Sequence, residues 1–241
     1  MPHLEAWLQE ARPDVVALQE IKMETDAFPI GAIRALGYEA VVSGQKTYNG
    51  VALLSRLPIH DALAEVSGYT DPQRRLLAAT IGNLRVIDLY VVNGQEVASD
   101  KYRYKLEWLE AVTGWIAAEI KQYPNLVVLG DFNIAPEDRD VHDPEAWFEQ
   151  VLCSTPERDA FKRLLALGLH DSFRLREPAG GHYTWWDYRA AAFRRNIGLR
   201  IDLVLVSTAL RERVVATGID REPRTWERPS DHAPVWVEIA A

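Results

Sequence analysis

Leu126-Val127-Val128-Leu129-Gly130-Asp131-Phe132-Asn133 is the stretch whose reading decides the fold. Its apolar run, 126–129, reads as a short core strand. A glycine stops the run. A carboxylate and a carboxamide follow, two residues apart. On an extended backbone such positions point to the same side. Asp131 and Asn133 are thus expected to project together from a strand end. A carboxylate can hold a metal or orient a water, and a carboxamide can donate to a phosphate oxygen. The plain alternative is a Gly-Asp turn capped by asparagine, since all three are ordinary turn residues.

Working outward, residues 3–11 form an amphipathic helical pattern through Leu4, Trp7, Leu8 and Ala11. Residues 14–18 read as a short β-branched strand closed by Gln19-Glu20. A glutamate there sits at a strand's carboxyl end, where α/β folds place their sites. A helix over 28–36 is followed by strands at 38–43, 51–55, 59–66, 76–81 and 84–92. The last of these carries Tyr90 and ends at Asn93-Gly94. The longest helical pattern, 100–120, spaces Leu106, Leu109, Val112, Ile116 and Ile120 for one buried face. Residues 136–156 read as a polar excursion over the surface, and 157–167 as a helix. An aromatic segment, 182–189, precedes strands at 200–206, 214–219 and 233–239. Short strands interleave irregularly with a few helices. That favours an α/β sandwich of two packed sheets over a doubly wound nucleotide fold. No repeat or linker interrupts the chain, so residues 1–241 are expected to form one domain.

Of 241 residues, 48% are hydrophobic, enough for a large core. No run approaches the ~18 apolar residues of a membrane span. Met1 to Glu5 do not resemble a signal peptide. One cysteine, Cys153, excludes an intramolecular disulfide framework. Together these lead to a cytoplasmic expectation. The net charge of −8 argues against a general polyanion binder. Basic residues nonetheless cluster at Arg74-Arg75, 101–105 and 189–200.

Glu20, Asp131 with Asn133, Asp202 and Asp231 each fall at a strand end or on a short core strand, and His232 follows Asp231 directly. Hard oxygen donors of this kind suit Mg²⁺, or Mn²⁺ in its place. There is no zinc-type Cys/His spacing, no P-loop and no Gly-x-Ser-x-Gly elbow.

Leu18-Gln19-Glu20, Gly130-Asp131-Phe132-Asn133, Arg200-Ile201-Asp202 and 230–235, Ser-Asp-His-Ala-Pro-Val, resemble motifs of the exonuclease-endonuclease-phosphatase superfamily. Gly44-Gln45-Lys46, 49–55, 184–189 (Thr-Trp-Trp-Asp-Tyr-Arg) and 198–202 (Gly-Leu-Arg-Ile-Asp) resemble its exodeoxyribonuclease III, or AP endonuclease, branch. The resemblance runs nearly end to end and implies a four-layer α/β sandwich. Family members begin with a strand carrying an asparagine beside the metal, whereas this sequence begins at the following helix. The expectation is a sandwich lacking that first strand, with apolar surface exposed, and a start placed too late.

The implied activity is Mg²⁺-dependent phosphodiester hydrolysis on duplex DNA, as a 3′-to-5′ exonuclease and by cleavage 5′ to abasic sites. The resemblance implies Glu20 as the main metal ligand, with Asp231 nearby, and Asp131, Asn133 and His232 beside the metal. It implies Asp131 as the group that orients water, and Asn133 and His232 as groups facing the phosphate. Asp202 would hold His232, and Tyr90 and Tyr104 match phosphate-contacting tyrosines. DNA would be met by Arg74, Lys101, Trp185, Trp186 and Arg189, the protein acting as a monomer. Two alternatives stay open: a phosphoesterase of the same fold on a small phosphorylated substrate, and a catalytically impaired, truncated DNA-binding form. The aromatic-basic loop at 182–195 distinguishes the first, because a small substrate has no stated need for it.

Overall fold

A computed structural model describes residues 2–240. Helix α1 (Pro2–Ala11) opens on a proline, whose fixed φ suits a first helical position. It lays Leu4, Trp7 and Leu8 on a cluster containing Val16, Ile33, Tyr38, Ala52 and Leu54. That cluster joins β1 (Val15–Leu18), α2 (Ile30–Ala35), β2 (Glu39–Ser43) and β3 (Val51–Ser55). Strands β1 and β2 flank β3, both antiparallel to it. Every residue of β3 is buried. Ala52 and Leu54 enter the cluster under α1, and Val51 and Leu53 enter the opposite one, as the two-residue period of a strand requires.

The opposite cluster also holds Leu77, Ala79, Ile81, Val86 and Tyr90. These come from β5 (Leu76–Ile81) and β6 (Leu84–Tyr90), which follow the edge strand β4 (Ile59–Leu63). Two sheets thus pack face to face here. Gly82-Asn83 closes the β5–β6 hairpin, with Ile81 opposite Leu84 and Gly82 at φ +59°, the backbone that two-residue hairpin loops demand. The strand expected over 59–66 ends at Leu63: its register shifts after His60, and Asp61 has φ +49°. Beside β6 lies β7 (Leu126–Asp131). Gly130 is required in it, because at φ +130° a Cβ would stand 2.1 Å from the Leu89 carbonyl oxygen.

The contacts divide the chain into two compact units. One comprises residues up to Tyr90 with Asn125–Gly130; the other comprises Val91–Pro124 and the chain from Asp131 on. In the second unit, Ser99 caps α3 (Asp100–Gln122), its Oγ accepting the Tyr102 N–H at 3.1 Å. The buried stripe runs through Tyr102, Lys105, Leu109, Val112 and Ile116. It is rotated from the expected one, leaving Leu106 and Ile120 half-buried. Helix α4 (Thr155–Leu165) starts from a capping box made by Ser154 and Glu157. Three short elements were not anticipated: β8 (Leu169–Asp171), α5 (Ser172–Arg176) and α6 (Ala192–Arg195). None is long enough to show a period. Strand β9 (Asp202–Ser207) is wholly buried and pairs antiparallel with β8. Strands β10 (Val214–Ile219) and β11 (Val235–Ile239) form an antiparallel ribbon.

The segment 136–156 runs over the surface as expected, with 143–146 exposed, but it is anchored into the core at both ends. Val141, Leu152 and Cys153 join a core cluster with Leu199 and Ile201. Asp140 is fully buried, accepting from Arg200 Nε at 2.6 Å and pairing with Arg174. The charges that made the segment look solvated are partly spent on internal ion pairs. Among the described residues, no helix is long and apolar enough to cross a membrane.

Candidate active site

In the second unit, Asp131 and Asn133 leave the end of β7 and fold onto each other. Asn133 takes φ +48°, a conformation asparagine tolerates better than most residues. Its backbone N–H then donates to Asp131 Oδ1 at 2.8 Å, and its Nδ2 donates to Asp131 Oδ2 at 2.9 Å. Nδ2 also donates to the Val91 carbonyl at 3.0 Å, and Oδ1 accepts from Asn93 Nδ2 at 2.9 Å. Between the two, Phe132 is buried edge-on against Phe161, with ring centroids 5.8 Å apart. The expected juxtaposition of Asp131 and Asn133 is present. The expected donation from Asn133 to a phosphate is not available here, because both amide hydrogens are already used. Its acceptor oxygen takes one bond, from Asn93, and keeps a second lone pair for the metal role assigned to it.

His232 turns Nδ1 toward Asp202, 2.9 Å from Oδ2 and 3.1 Å from Oδ1. Burial disfavours a charged ring. The Asp202 carboxylate, its hydrogen bond, and the charges of Asp131 and Asp231 outweigh that and raise the His232 pKa to about 10. In the imidazolium form neither ring nitrogen has a lone pair. Without a metal, the structure thus holds His232 as a cation against Asp202. One ligand atom each of Asp131, Asp202 and His232 lies within 4.8 Å of the others. The two carboxylates supply the hard oxygens that Mg²⁺ or Mn²⁺ prefers, so this part of the donor set fits a divalent cation.

Asp231, half-buried, accepts from Trp185 Nε1 at 3.0 Å, and its carbonyl accepts the Trp186 N–H at 3.0 Å. The two tryptophans part company here. Trp185 is half-buried and reaches the site. Trp186 is fully buried, edge-on to Phe193, with Nε1 donating to Asn196 at 3.3 Å. Trp186 is a core residue, and its expected contact with DNA is corrected. Arg189 is exposed and paired with Asp187 of its own loop at 2.8 Å. Lys101 is exposed in the first turn of α3, and Tyr104 is half-buried on that helix.

In the first unit, Glu20 lies just past β1 at φ +53°. Its carboxylate accepts from the Tyr90 hydroxyl and pairs with Lys22 Nζ at 2.6 Å. The Arg75 guanidinium covers the Tyr90 ring at 4.7 Å. The Asn49-Gly50 segment braces this loop: the Lys22 N–H donates to Asn49 O at 3.0 Å and the Ile21 N–H to Gly50 O at 3.2 Å. Gln45 Oε1 in turn accepts from Asn49 Nδ2 at 3.1 Å and from the Arg74 N–H at 3.0 Å. Arg74 itself points toward Glu65, 3.8 Å away.

Two participants were missed. Asn93, read only as a turn residue, is hydrogen-bonded into the Asp131–Asn133 group. Lys105, read as part of a basic cluster, is fully buried and paired with Glu157. Burial lowers its pKa, against the opposing pull of Glu157. The signal was present: a lysine at 105 falls on the same helical stripe as Leu109, Val112 and Ile116.

A carboxylate clamped by an amide, beside an imidazolium backed by a second carboxylate, is the equipment of a metal-assisted phosphodiesterase. The endonuclease/exonuclease/phosphatase family model matches residues 3–232. The chain is 38% identical to exodeoxyribonuclease III of Haemophilus influenzae, covering 99% of this chain and 94% of that protein. A 3′ phosphatase from Neisseria bound to a product DNA hairpin superposes with TM-score 0.98 at 46% identity, covering 100% of this chain and 94% of that one. An AP endonuclease from Archaeoglobus fulgidus gives TM-score 0.95 at 35% identity, covering 99% and 93%. The chain belongs to the endonuclease/exonuclease/phosphatase family, in its exodeoxyribonuclease III branch. It is a hydrolytic nuclease of the DNA-repair type, with a mixed α/β fold of two main packed sheets and helices, the class expected from the sequence.

Proposed function

We propose that this protein hydrolyses phosphodiester bonds of duplex DNA with Mg²⁺, removing nucleotides 3′ to 5′ and cutting on the 5′ side of abasic sites. The observation that carries the reading is the Asp131 carboxylate, fixed by two donors of Asn133 and within 4.8 Å of the His232–Asp202 pair. Water attacks the phosphorus and passes a proton to Asp131; the P–O3′ bond breaks, and the leaving O3′ takes a proton from solvent to become a hydroxyl. His232, as an imidazolium, faces the negative charge that gathers on the phosphate oxygens. Asn133 and Asn93 hold Asp131 in line. Asp131 and Asp231 of the second unit are carboxylates that would hold the metal. When bound, Mg²⁺ supplies Lewis-acid stabilisation of phosphate charge. Tyr90 orients Glu20 by donating to it.

Lys101 and Arg189 offer exposed cations to DNA phosphates, as does Arg74 in the first unit. Trp185 orients Asp231, and Tyr104 is kept as a phosphate contact. The chain passes between the two units after Tyr90, Pro124 and Gly130, and the family match spans 3–232. Both support treating residues 1–241 as one domain. The same reading takes the protein as a cytoplasmic monomer.

The test is incision of a duplex carrying one abasic-site analogue, with Mg²⁺ and then with EDTA. Mg²⁺-dependent cutting 5′ to the lesion is expected. Hydrolysis of inositol phosphates with no cutting of duplex DNA would overturn the reading in favour of a small-substrate phosphoesterase.

A further inference from the structure

The ammonium group of Lys105 is fully buried and has three acceptors for its three protons. They are the Asn93 carbonyl at 3.1 Å, the Asn133 carbonyl at 2.7 Å, and Glu157 Oε1. Glu157 is equally enclosed. Its Oε1 also accepts the Leu152 N–H at 3.0 Å, and its Oε2 accepts from Ser154 N at 3.2 Å and Ser154 Oγ at 2.5 Å. Ser154 Oγ, in turn, lies 2.6 Å from the Tyr102 hydroxyl. A buried ion pair gives little net stability compared with well-packed apolar groups.

What the lysine does hold is specific. The two carbonyls belong to the two residues whose side chains bond to each other, Asn93 Nδ2 to Asn133 Oδ1 at 2.9 Å. One of them, Asn133, is the residue whose left-handed backbone aims two donors at Asp131. The Asn93-Gly94 turn passes close over the lysine stem. A Cβ on Gly94, at φ +94°, would stand 3.2 Å from Lys105 Cδ and 3.2 Å from Val151 Cγ2. Helix α3 thus reaches both carbonyls through the Lys105 ammonium, and helix α4 supplies the counter-charge from its N-terminal turn.

We infer that Lys105, held by Glu157, is a positioning residue. It pins the Asn93 and Asn133 carbonyls and so fixes the direction of the Asp131 carboxylate. The inference rests on the nuclease reading for its kinetic consequence, but its structural consequence stands apart from that reading.

The experiment compares the parent protein with two variants, Glu157→Gln and the pair Lys105→Met with Glu157→Gln. The double variant removes both buried charges together and so strands no lone ion, but it leaves the Asn93 and Asn133 carbonyls without this donor, so its melting temperature is expected to fall by several degrees with the fold kept. Its kcat should fall about 100-fold, the scale of loss from misplacing a catalytic group by about 1 Å, while KM for duplex DNA holds. Glu157→Gln keeps Lys105 on both carbonyls and should lose less than about tenfold. Independently of any activity, the Asn133 amide, bonded to Asp131 in the parent, should exchange its hydrogen about tenfold faster or more in the double variant. Parent-like kcat in a folded double variant would overturn the inference. So would unchanged Asn133 protection, or a full 100-fold loss in Glu157→Gln alone. If the double variant does not fold, the single variant decides, by its kcat loss and its Asn133 protection. If the parent cuts no DNA, the nuclease reading fails and the exchange measurement still decides the role of Lys105.

Discussion

His232 and Asp202 form a directed pair: Nδ1 faces the carboxylate at 2.9 Å, which turns Nε2 away from it. The pair keeps the ring cationic, with a pKa raised to about 10. Its stabilising effect is full below the ordinary histidine value of 6.5 and is lost as pH rises through about 10. Activity that needs the imidazolium should therefore persist into alkaline solution. In Asp202→Asn the ring loses its principal counter-charge, and the alkaline limb of kcat against pH should move down toward neutrality. At pH 8 the rate should fall about 100-fold. An unmoved alkaline limb in Asp202→Asn would contradict the role given to His232.

Asp131 is assigned the proton of the attacking water. Asp131→Asn keeps the shape but replaces one of the two oxygens that accept from Asn133 by a donor, and removes the basic oxygen. It should reduce kcat about 10³-fold, near the upper range for general-base removal, and leave duplex affinity intact. Single-turnover cleavage beside equilibrium binding checks this, and near-parental cleavage would refute it.

Asp88 in β6 is completely buried, with Oδ1 accepting from Gln19 Nε2 at 2.6 Å and Oδ2 without a partner. Burial raises its pKa well above 3.8, and the Gln19 bond opposes this only in part. The folded state therefore binds a proton that the unfolded chain releases above about pH 4. The resulting destabilisation is absent in acid and grows as pH rises. Asp88→Asn should raise the melting temperature by a few degrees at pH 7 and change little near pH 3.5. Equal shifts at both pH values would show that ionisation is not the cause.

Trp185 and Trp186 should separate cleanly on substitution. Trp186→Ala empties a fully enclosed core position and should cost about 3–5 kcal/mol of stability, measured by denaturant unfolding. Trp185→Phe removes the Nε1 donor to Asp231. It should lower kcat about tenfold, the scale of losing one hydrogen bond of roughly 1.4 kcal/mol, with stability preserved. The opposite assignment of effects would restore Trp186 to the DNA surface.

Much of the site was legible because its residues sit at strand ends in short, spaced motifs. Asp131 and Asn133 are two residues apart on one chain, so the strand period alone put them on one side. Glu20 and Asp202 were found for the same reason, each bounded by a core strand. Lys105 was not, although it lies on the buried stripe of α3. Lysine is so often solvated that its neighbours Lys101 and Arg103 hid it. The anchors of the segment 136–156 were hidden likewise, since its charges gave no hint that Asp140 meets Arg200, sixty positions along the chain.

By itself the sequence determined the α/β class, most of the strands, the long helix and the set of carboxylates, because period and local turn chemistry act over a few residues. Only the tertiary structure decided which donor each of those groups meets. It spent the Asn133 amide on Asp131 and Val91, placed Asp202 behind His232, buried Trp186 while leaving Trp185 within reach of Asp231, and ran Lys105 between Asn93 and Asn133. Hydrogen bonds are short and directional, and apart from Asn133 and Asp131 the partners here lie 12 to 46 residues apart. No periodicity along the chain encodes such pairings.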